Sequence, residues 1–373
     1  MKIGISCYPT FGGSGVIASE LGMGLAERGH EVHFITYAMP GRIDTYRPGI
    51  YFHEVTVPDY PLFEYPPYSL ALASKIAEIA ERESLEIIHS HYAIPHAASA
   101  LLARDMIGRD KLRVVTTLHG TDITLVGRDP SFMPVIKHSI KQSDEVSAVS
   151  IFLRDEVCCT FTCKKTVHVI YNFIDPRIYS GHADETLRKR LAPHGEKVLV
   201  HVSNFREVKR IPDVMKIFLN VRREIPVKLV LVGSGPELRT AEHMAHAEHA
   251  CHDFVALGER ESITDILKAS DVLLLPSESE SFGMAALEAM ACGVPPVVSN
   301  TGGLPEVVEH GVTGYLAPVG DTDAMTGYAL ELLKDEEKRK LIGETARQRA
   351  FDRFNLDAAL DAYEGLYERA WGG

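Results

Sequence analysis

The sequence predicts an α/β protein made of two halves, each a parallel sheet wound with helices. Three observations predict this. The chain has 373 residues, more than one ordinary core accommodates and suited to two domains of common size. Two separate series of short β-rich runs alternate with helical stretches of about ten to fifteen residues, the signature of βαβ units. Between the two series, from Asn172 to Gly195, the regularity lapses at Pro176, Gly181, Pro193 and Gly195.

KIGISC (2–7) is the first strand, followed by a glycine turn and an amphipathic helix from about Gly15 to Arg28. EVHFITY (31–37) and YFHEVTV (51–57) continue the sheet, and the proline-rich stretch Val57 to Pro67 reads as a surface loop. A helix is expected over about 68–84, then the strand EIIHSH (86–91) and a helix from about Pro95. RVVTTLH (113–119), EVSAVS (145–150) and TVHVIY (166–171) complete the first series. The second series is KVLVHVS (197–203), VKLVLVG (227–233), DFVALG (253–258), DVLLLPS (271–277) and PPVVSN (295–300), with closing helices from about Asp335 to Trp371. Ligands of open parallel sheets bind at the carboxyl ends of the strands near the switch point, so the residues just after each run are the ones to inspect.

Bulk properties narrow the function. Hydrophobic residues make up 45% and charged residues 24%, the balance of a soluble globular enzyme. The formal net charge of −12 argues against a general nucleic-acid or anionic-membrane surface. No apolar run approaches the roughly 18 residues of a membrane span, and the start MKIGISCYPTFGG lacks the charged-then-apolar pattern of a secretory leader. A cytoplasmic location is expected. Of six cysteines only Cys158, Cys159 and Cys163 cluster, without the paired spacing of a zinc site.

Several segments carry candidate chemistry. Gly12-Gly13-Ser14-Gly15 follows the first strand and opens a helix, where free N–H groups meet anions. Gly13-x-Gly15-x-x-Ala18 fits the dinucleotide fingerprint, but the second strand ends Thr36-Tyr37-Ala38 with no carboxylate for a ribose. A tight-packing turn and an anion-binding turn both stand, the latter preferred. Gly233-Ser234-Gly235-Pro236-Glu237 repeats the arrangement in the second half. Arg206, Lys209 and Arg210 follow the strand KVLVHVS and suit a pyrophosphate whose leaving-group charge must be stabilised. Alternatively they are a solvated helix start, at an end where cations oppose the helix dipole. The strongest signal is Glu280 to Glu288, ESFGMAALE: Glu280 in a loop reaches hydroxyls, whereas Glu288 lies in an apolar run and needs a polar partner. Thr301-Gly302-Gly303 makes another nest for phosphate oxygens. His119 ends a first-half strand and precedes Gly-Thr-Asp, which favours a ligand-facing role over a capped core histidine.

Together, GGSG (12–15), HGTD (119–122), FREVKR (205–210), GSGPE (233–237), the E-x7-E pair Glu280 and Glu288, and NTGGLPEVVEHGVTGYL (300–316) resemble the retaining glycosyltransferases of family 4. The resemblance covers nearly the whole chain and implies the GT-B fold, two Rossmann-like domains with parallel sheets facing a central cleft. Residues 1–175 would bind the acceptor and 176–352 the nucleotide-sugar donor, with a C-terminal helix at about 353–373 packing back on the first domain. The family pattern assigns sugar hydroxyls to Glu280, ribose hydroxyls to Glu288, the diphosphate to Arg206 and Lys209, and the sugar's outer hydroxyl to His119. Gly15, Gly233, Gly235, Ser281, Phe282, Gly283, Gly302 and Gly303 would line the donor cradle, with Glu259 near the base. The family's arginine directly follows a glycine; here the stretch is Ser203-Asn204-Phe205-Arg206, which displaces Arg206.

YPTFGGSGVIASELG, HSHYAIPHA, TTLHGTDITLVG, SNFREVKR and LPSESESFGMAALEAMACGVP are similar to the branch that joins N-acetylglucosamine, from UDP-N-acetylglucosamine, to the hydroxyl of L-malate as the first step of bacillithiol biosynthesis. Ser14, Tyr92, Thr117, Arg154 and Asn172 are the acceptor candidates. The implied chemistry is front-face attack with retention, without a covalent glycosyl-enzyme. No D-x-D metal-holding motif stands where the donor binds, so no cofactor and no essential metal are expected. Rival readings keep the family with inositol phosphate or a lipid as acceptor, or make the chain a UDP-N-acetylglucosamine 2-epimerase. Neither nucleic acid nor stable membrane association is expected; the sequence leaves the oligomeric state open, and a homodimer is compatible with it.

Overall fold

The computed structural model describes residues 1–10, 13–41, 43, 47–59, 61–124, 127, 129–162, 165–181 and 184–372. Gly12 of the first glycine turn and Cys163 of the cysteine cluster lie outside them. The chain divides into two compact units, Met1–Phe173 with Leu356–Gly373, and Ile174–Asn355.

Among the described residues, unit 1 holds seven strands: β1 (Lys2–Ser6), β2 (Glu31–Thr36), β3 (Ile50–Glu54), β4 (Ile87–His91), β5 (Arg113–Leu118), β6 (Glu145–Ala148) and β7 (His168–Val169). They pair in the order β3-β2-β1-β4-β5-β6-β7, and every pairing is parallel. The order reverses between β1 and β4, the crevice where such sheets bind ligands. Its helices are α1 (Ser14–Glu27), α2 (Tyr68–Glu83), α3 (Ala98–Ile107), α4 (Thr121–Thr124), α5 (Met133–Gln142) and α6 (Ile151–Phe161). Helices cover the central strands, which are buried apart from the first residues of β1 and β5. All five residues of β4, IIHSH, are buried, so its two histidines meet partners inside the unit, whereas Ser90 Oγ has none among the described residues.

Unit 2 begins with α7 (Pro176–Tyr179) and α8 (Glu185–Leu191). Its strands are β8 (Lys197–Val202), β9 (Val227–Val232), β10 (Phe254–Ala256), β11 (Val272–Leu275), β12 (Pro296–Ser299) and β13 (Tyr315–Ala317). They form a parallel sheet ordered β10-β9-β8-β11-β12-β13, reversing between β8 and β11. The helices are α9 (Ile211–Arg222), α10 (Leu238–Ala247), α11 (Thr264–Lys268), α12 (Met284–Ala291), α13 (Leu304–Val307), α14 (Thr322–Lys334) and α15 (Glu336–Arg353). The core is aliphatic, built from strand residues such as Leu199, Leu229 and Leu274 and from α9 residues Val214, Ile217 and Phe218.

The last helix, α16 (Leu356–Gly372), belongs to unit 1, where it packs against α1 and β5. Its Leu360 lies against Gly24 of α1, where a β-carbon would crowd the leucine methyls. Arg28 binds Asp361 and Glu364 of α16, each at 2.6 Å.

The sequence reading lacks β13, because three residues between Gly314 and Pro318 are too short to show a period. Among the described residues, no group of three histidine, cysteine or acidic side chains is placed to hold a metal ion, and no helix is long and apolar enough to cross a membrane.

Candidate active site

In unit 2 the residues after β8, β9, β11 and β12 are stitched together by their backbones. The Glu278 N–H donates to the Val208 carbonyl at 2.8 Å, the Gly303 N–H to the Glu280 carbonyl at 2.8 Å, and the Glu237 N–H to the Phe205 carbonyl at 3.0 Å. Such close loop contact leaves no room for side chains where the loops touch. Gly233 and Gly302 have φ of +124° and +57°, and a β-carbon would overlap the Ser203 carbonyl oxygen at the first and the Glu280 carbonyl oxygen at the second. Gly235 and Gly303 abut the Asn204 and Ser281 carbonyls in the same way. These glycines let the loops interlock, a constraint visible in the protein alone.

On this scaffold Lys209 and Glu280 meet. Glu280 Oε1 accepts from Lys209 Nζ at 2.5 Å and from the Ser277 hydroxyl at 2.8 Å. The pair is mostly shielded, with side-chain exposures of 18% and 13%, so the ammonium is held near one carboxylate oxygen in a place of reduced screening. Arg206 is exposed, and among the described residues no ion pair engages it. Arg210 is committed elsewhere, to Asp213 at 2.6 Å; this bond holds its guanidinium above the usual range. Glu259 is exposed and accepts from the Ser234 hydroxyl. Phe282 is buried against Phe354, ring centroids 5.6 Å apart, and Gly283 caps α12 with a φ of +102°.

Glu288 lies on α12, 9% exposed. Its Oε1 accepts from the hydroxyl of the buried Tyr179 at 3.0 Å. Below Lys209, His201 is clamped between the Leu274 carbonyl (2.8 Å) and the Ser203 hydroxyl (2.7 Å). Burial pushes this imidazole down to about 4, with the nearby Lys209 charge acting in the same direction. It is a neutral spacer that sets the start of the loop carrying Arg206.

The switch-point edge of unit 1 is built instead from uncharged polar side chains around the carboxyl of Asp122. Ser14, at the start of α1, donates its hydroxyl to the Tyr92 hydroxyl at 2.9 Å. The Tyr92 ring lies 5.0 Å from the ring of His119. Gly15 is packed on Thr10. Asp122, buried after β5, accepts the N–H groups of Ala93 (2.9 Å) and Gly120 (3.1 Å); burial raises its carboxyl to about 6.

Beneath these lies a layer of histidines. His89 is held between the Tyr367 hydroxyl (2.8 Å) and the Thr117 hydroxyl (2.7 Å). His96 meets the Ser6 hydroxyl at 2.8 Å, and His91 meets His119 at 2.9 Å. Burial drives His89, His96 and His119 down to about 3, and pushes His91 well below the usual imidazole range, so all four are neutral.

The structure therefore brings Ser14, Tyr92 and His119 together in unit 1, and Lys209 with Glu280 in unit 2. Thr117 lies in the buried layer, its hydroxyl shared among His89, Ser147 and Tyr363. Arg154 stands on α6 paired with Asp155 at 2.8 Å, and Asn172 is buried after β7 with its Oδ1 unsatisfied among the described residues. His89, His91, Ser277, Tyr179 and His201 escape the motif reading. The alternation His89-x-His91 on a strand buried on both faces was the available signal, since two polar rings on one side require an internal network.

Comparisons with known proteins place the chain among its relatives. The family profile described as Glycosyltransferase Family 4 matches residues 11–178, and that described as Glycosyl transferases group 1 matches residues 183–349. The N-acetyl-alpha-D-glucosaminyl L-malate synthase of Bacillus anthracis is 50% identical over 98% of this chain and 96% of its own length. A D-inositol 3-phosphate glycosyltransferase of Xylanimonas cellulosilytica is 28% identical over 96% of this chain and 92% of its own. Among solved structures, the sucrose-phosphate synthase of Thermosynechococcus elongatus superposes with a TM-score of 0.81 at 22% identity, covering 100% of this chain and 99% of that one.

Proposed function

This chain belongs to the family 4 glycosyltransferases and has their GT-B fold, and from that premise we propose that it transfers N-acetylglucosamine from UDP-N-acetylglucosamine to the hydroxyl of L-malate, with retention, as the first step of bacillithiol biosynthesis in the cytoplasm. The observation that carries the acceptor and the sugar is the 50% identity, over 98% of the chain, to an enzyme named for that product. The inositol-phosphate enzymes stand at 24–28% identity.

Lys209 and Arg206 neutralise the diphosphate, Glu280 takes sugar hydroxyls and Glu288 the ribose. His119 binds the sugar's outer hydroxyl. Ser14 and Tyr92, already hydrogen-bonded to each other, and the amides at the start of α1 take the malate carboxylates. In the reaction the bond from the anomeric carbon to the β-phosphate oxygen breaks as the bond to the malate oxygen forms on the same face. The hydroxyl proton passes to the departing phosphate oxygen, giving UDP and the glycoside. Catalysis is positioning plus stabilisation of leaving-group charge, with no metal required. When donor binds, Lys209 must divide its charge between Glu280 and the diphosphate, so the Lys209–Glu280 pair is the resting form of the site.

The test is incubation of purified protein with UDP-N-acetylglucosamine and a panel of hydroxy acids, inositol phosphate and lipid. N-acetylglucosaminyl-malate and UDP are expected with malate alone. Turnover with inositol phosphate and not malate, or epimerised sugar without a glycoside, overturns the proposal.

A further inference from the structure

His91 ends β4 and His119 lies one residue past β5, on neighbouring strands whose register sets His91 beside Thr117. Their rings are within 19° of parallel with centroids 5.1 Å apart, while His91 Nδ1 and His119 Nε2 are 2.9 Å apart. A short N···N distance with a long centroid distance means that the rings meet edge to edge, as a hydrogen bond in both ring planes. Two neutral imidazoles can share such a bond in only two ways, with the proton on one nitrogen or the other.

The second nitrogen of His91 decides between them. His91 Nε2 is buried and has no partner among the described residues. If His119 donated, the His91 proton would sit on Nε2, an unpaired N–H sealed inside the unit. If His91 donates from Nδ1, only a lone pair is left unmatched at Nε2. Orphaned buried N–H groups are the rarer and costlier of the two. His91 is fully buried and His89 packs against it with ring centroids 4.4 Å apart. His89 is itself fixed by Tyr367 and Thr117. His119, at 9% exposure, is the least enclosed of the four rings.

We propose that His91 is a positioning residue which donates from Nδ1 to His119 Nε2, and so fixes His119 as the Nδ1–H tautomer. His119 then offers its substrate a hydrogen-bond donor and cannot act as an acceptor or general base at that nitrogen. The catalytic consequence rests on the reading that His119 binds the donor sugar; the tautomer itself does not. The ligand group selected is an oxygen lone pair, as on a sugar hydroxyl.

The test uses full-length protein labelled with 15N-histidine and two-bond 1H–15N correlation spectra at pH 7, with His119 assigned by the pattern lost in His119→Gln. The wild-type protein is expected to show the Nδ1–H pattern for His119. His91→Phe is expected to shift it to the Nε2–H or an exchange-averaged pattern and to lower kcat about tenfold, the size of one neutral hydrogen bond. His91→Asn, whose amide N–H can stand near the lost Nδ1–H, is expected to restore both. An Nε2–H pattern for His119 in the wild type overturns the proposal whether or not His91→Phe folds. An unchanged His119 pattern in folded His91→Phe overturns it too. If the tautomer moves as expected while turnover does not, the tautomer assignment stands, and it is the placement of His119 against substrate that fails.

Discussion

The two units hold ligand-facing groups at the same place, the carboxyl edge of a parallel sheet at its switch point, by opposite means. Unit 2 interlocks its loops backbone to backbone, with glycines at the crossings, and sets one ion pair on top. Unit 1 rests its groups on a buried layer of neutral rings and hydroxyls that reaches from His119 to Tyr367. The first design tolerates little added volume and depends on charge. The second depends on which nitrogen or oxygen carries each proton, and tolerates charge poorly. Each contrast can be tested by a perturbation that one unit should feel and the other should not.

The largest effect belongs to the ion pair. Lys209→Ala and Glu280→Ala should each lower kcat about 10²- to 10³-fold, the usual result of removing one preorganised stabilising group, while circular dichroism stays unchanged. Near-normal rates in both would mean that charge in unit 2 is not what the reaction uses, and the contrast with unit 1 would lose its basis.

Volume comes next. Gly302→Ala places a methyl against the Glu280 carbonyl at a φ of +57°; left-handed strain and overpacking together should cost about 2–4 kcal/mol. Gly29→Ala, in unit 1, is the control: its φ is +90° and nothing lies within 4 Å of the added carbon, so only the backbone strain of about 1–2 kcal/mol is expected. Urea titration of both variants measures the difference. Equal losses would show that loop interlock is not the constraint at Gly302.

Acid should single out unit 1. A histidine whose folded pKa lies below its unfolded value binds fewer protons folded than unfolded in the interval between the two. Stability is therefore present above about pH 6.5 and is lost as pH falls through that interval, by up to about 1.4 kcal/mol per pH unit for each group. His89, His96 and His119 are held at about 3, and His91 is also held well below the usual imidazole range. Asp122, raised to about 6, opposes this weakly, since it stays protonated in the folded state between about 4 and 6. Among its described residues unit 2 has one fully buried histidine of this kind, His201 at about 4. Hydrogen exchange at pH 7.5 and 5.5, corrected for intrinsic rates, should show β4 and β5 losing far more protection than β8 and β11. Matching losses would contradict the neutral-layer account.

Much of this was legible in the sequence, and what was not has physical reasons. Strands buried on both faces announce themselves as continuous apolar runs bounded by glycine, which is how β8, β9, β11 and β12 could be read. β13 could not, because three residues carry no period. Glu280 and Glu288 stood out by spacing, and Glu288 by its apolar surroundings, but sequence cannot say that a tyrosine 109 positions away supplies a hydroxyl to it. The glycines after β9 and β12 read as ligand nests; only coordinates reveal that neighbouring loops press on them. His91 was hidden for a different reason. One buried strand histidine looks like any other until its partner on the next strand is known.

The smallest effect separates the two units by substrate. Tyr179 is buried and gives its hydroxyl proton to Glu288 Oε1 at 3.0 Å. Tyr179→Phe removes that donor without changing the ring, leaving a carboxylate oxygen in a poorly solvated place with one hydrogen bond fewer. A hydrogen bond to a charged group contributes about 1.5–3 kcal/mol, and part of it is recovered when the carboxylate turns toward bound hydroxyls or water. The remainder should appear as a threefold to tenfold rise in the donor KM, about 0.7–1.4 kcal/mol by the usual conversion, with kcat and the malate KM near wild type. Tyr367→Phe deletes the equivalent hydroxyl in unit 1, on His89, and should leave the donor KM unchanged. If instead Tyr179→Phe raised the malate KM, or Tyr367→Phe the donor KM, then Glu288 would not be the residue through which unit 2 grips the nucleoside.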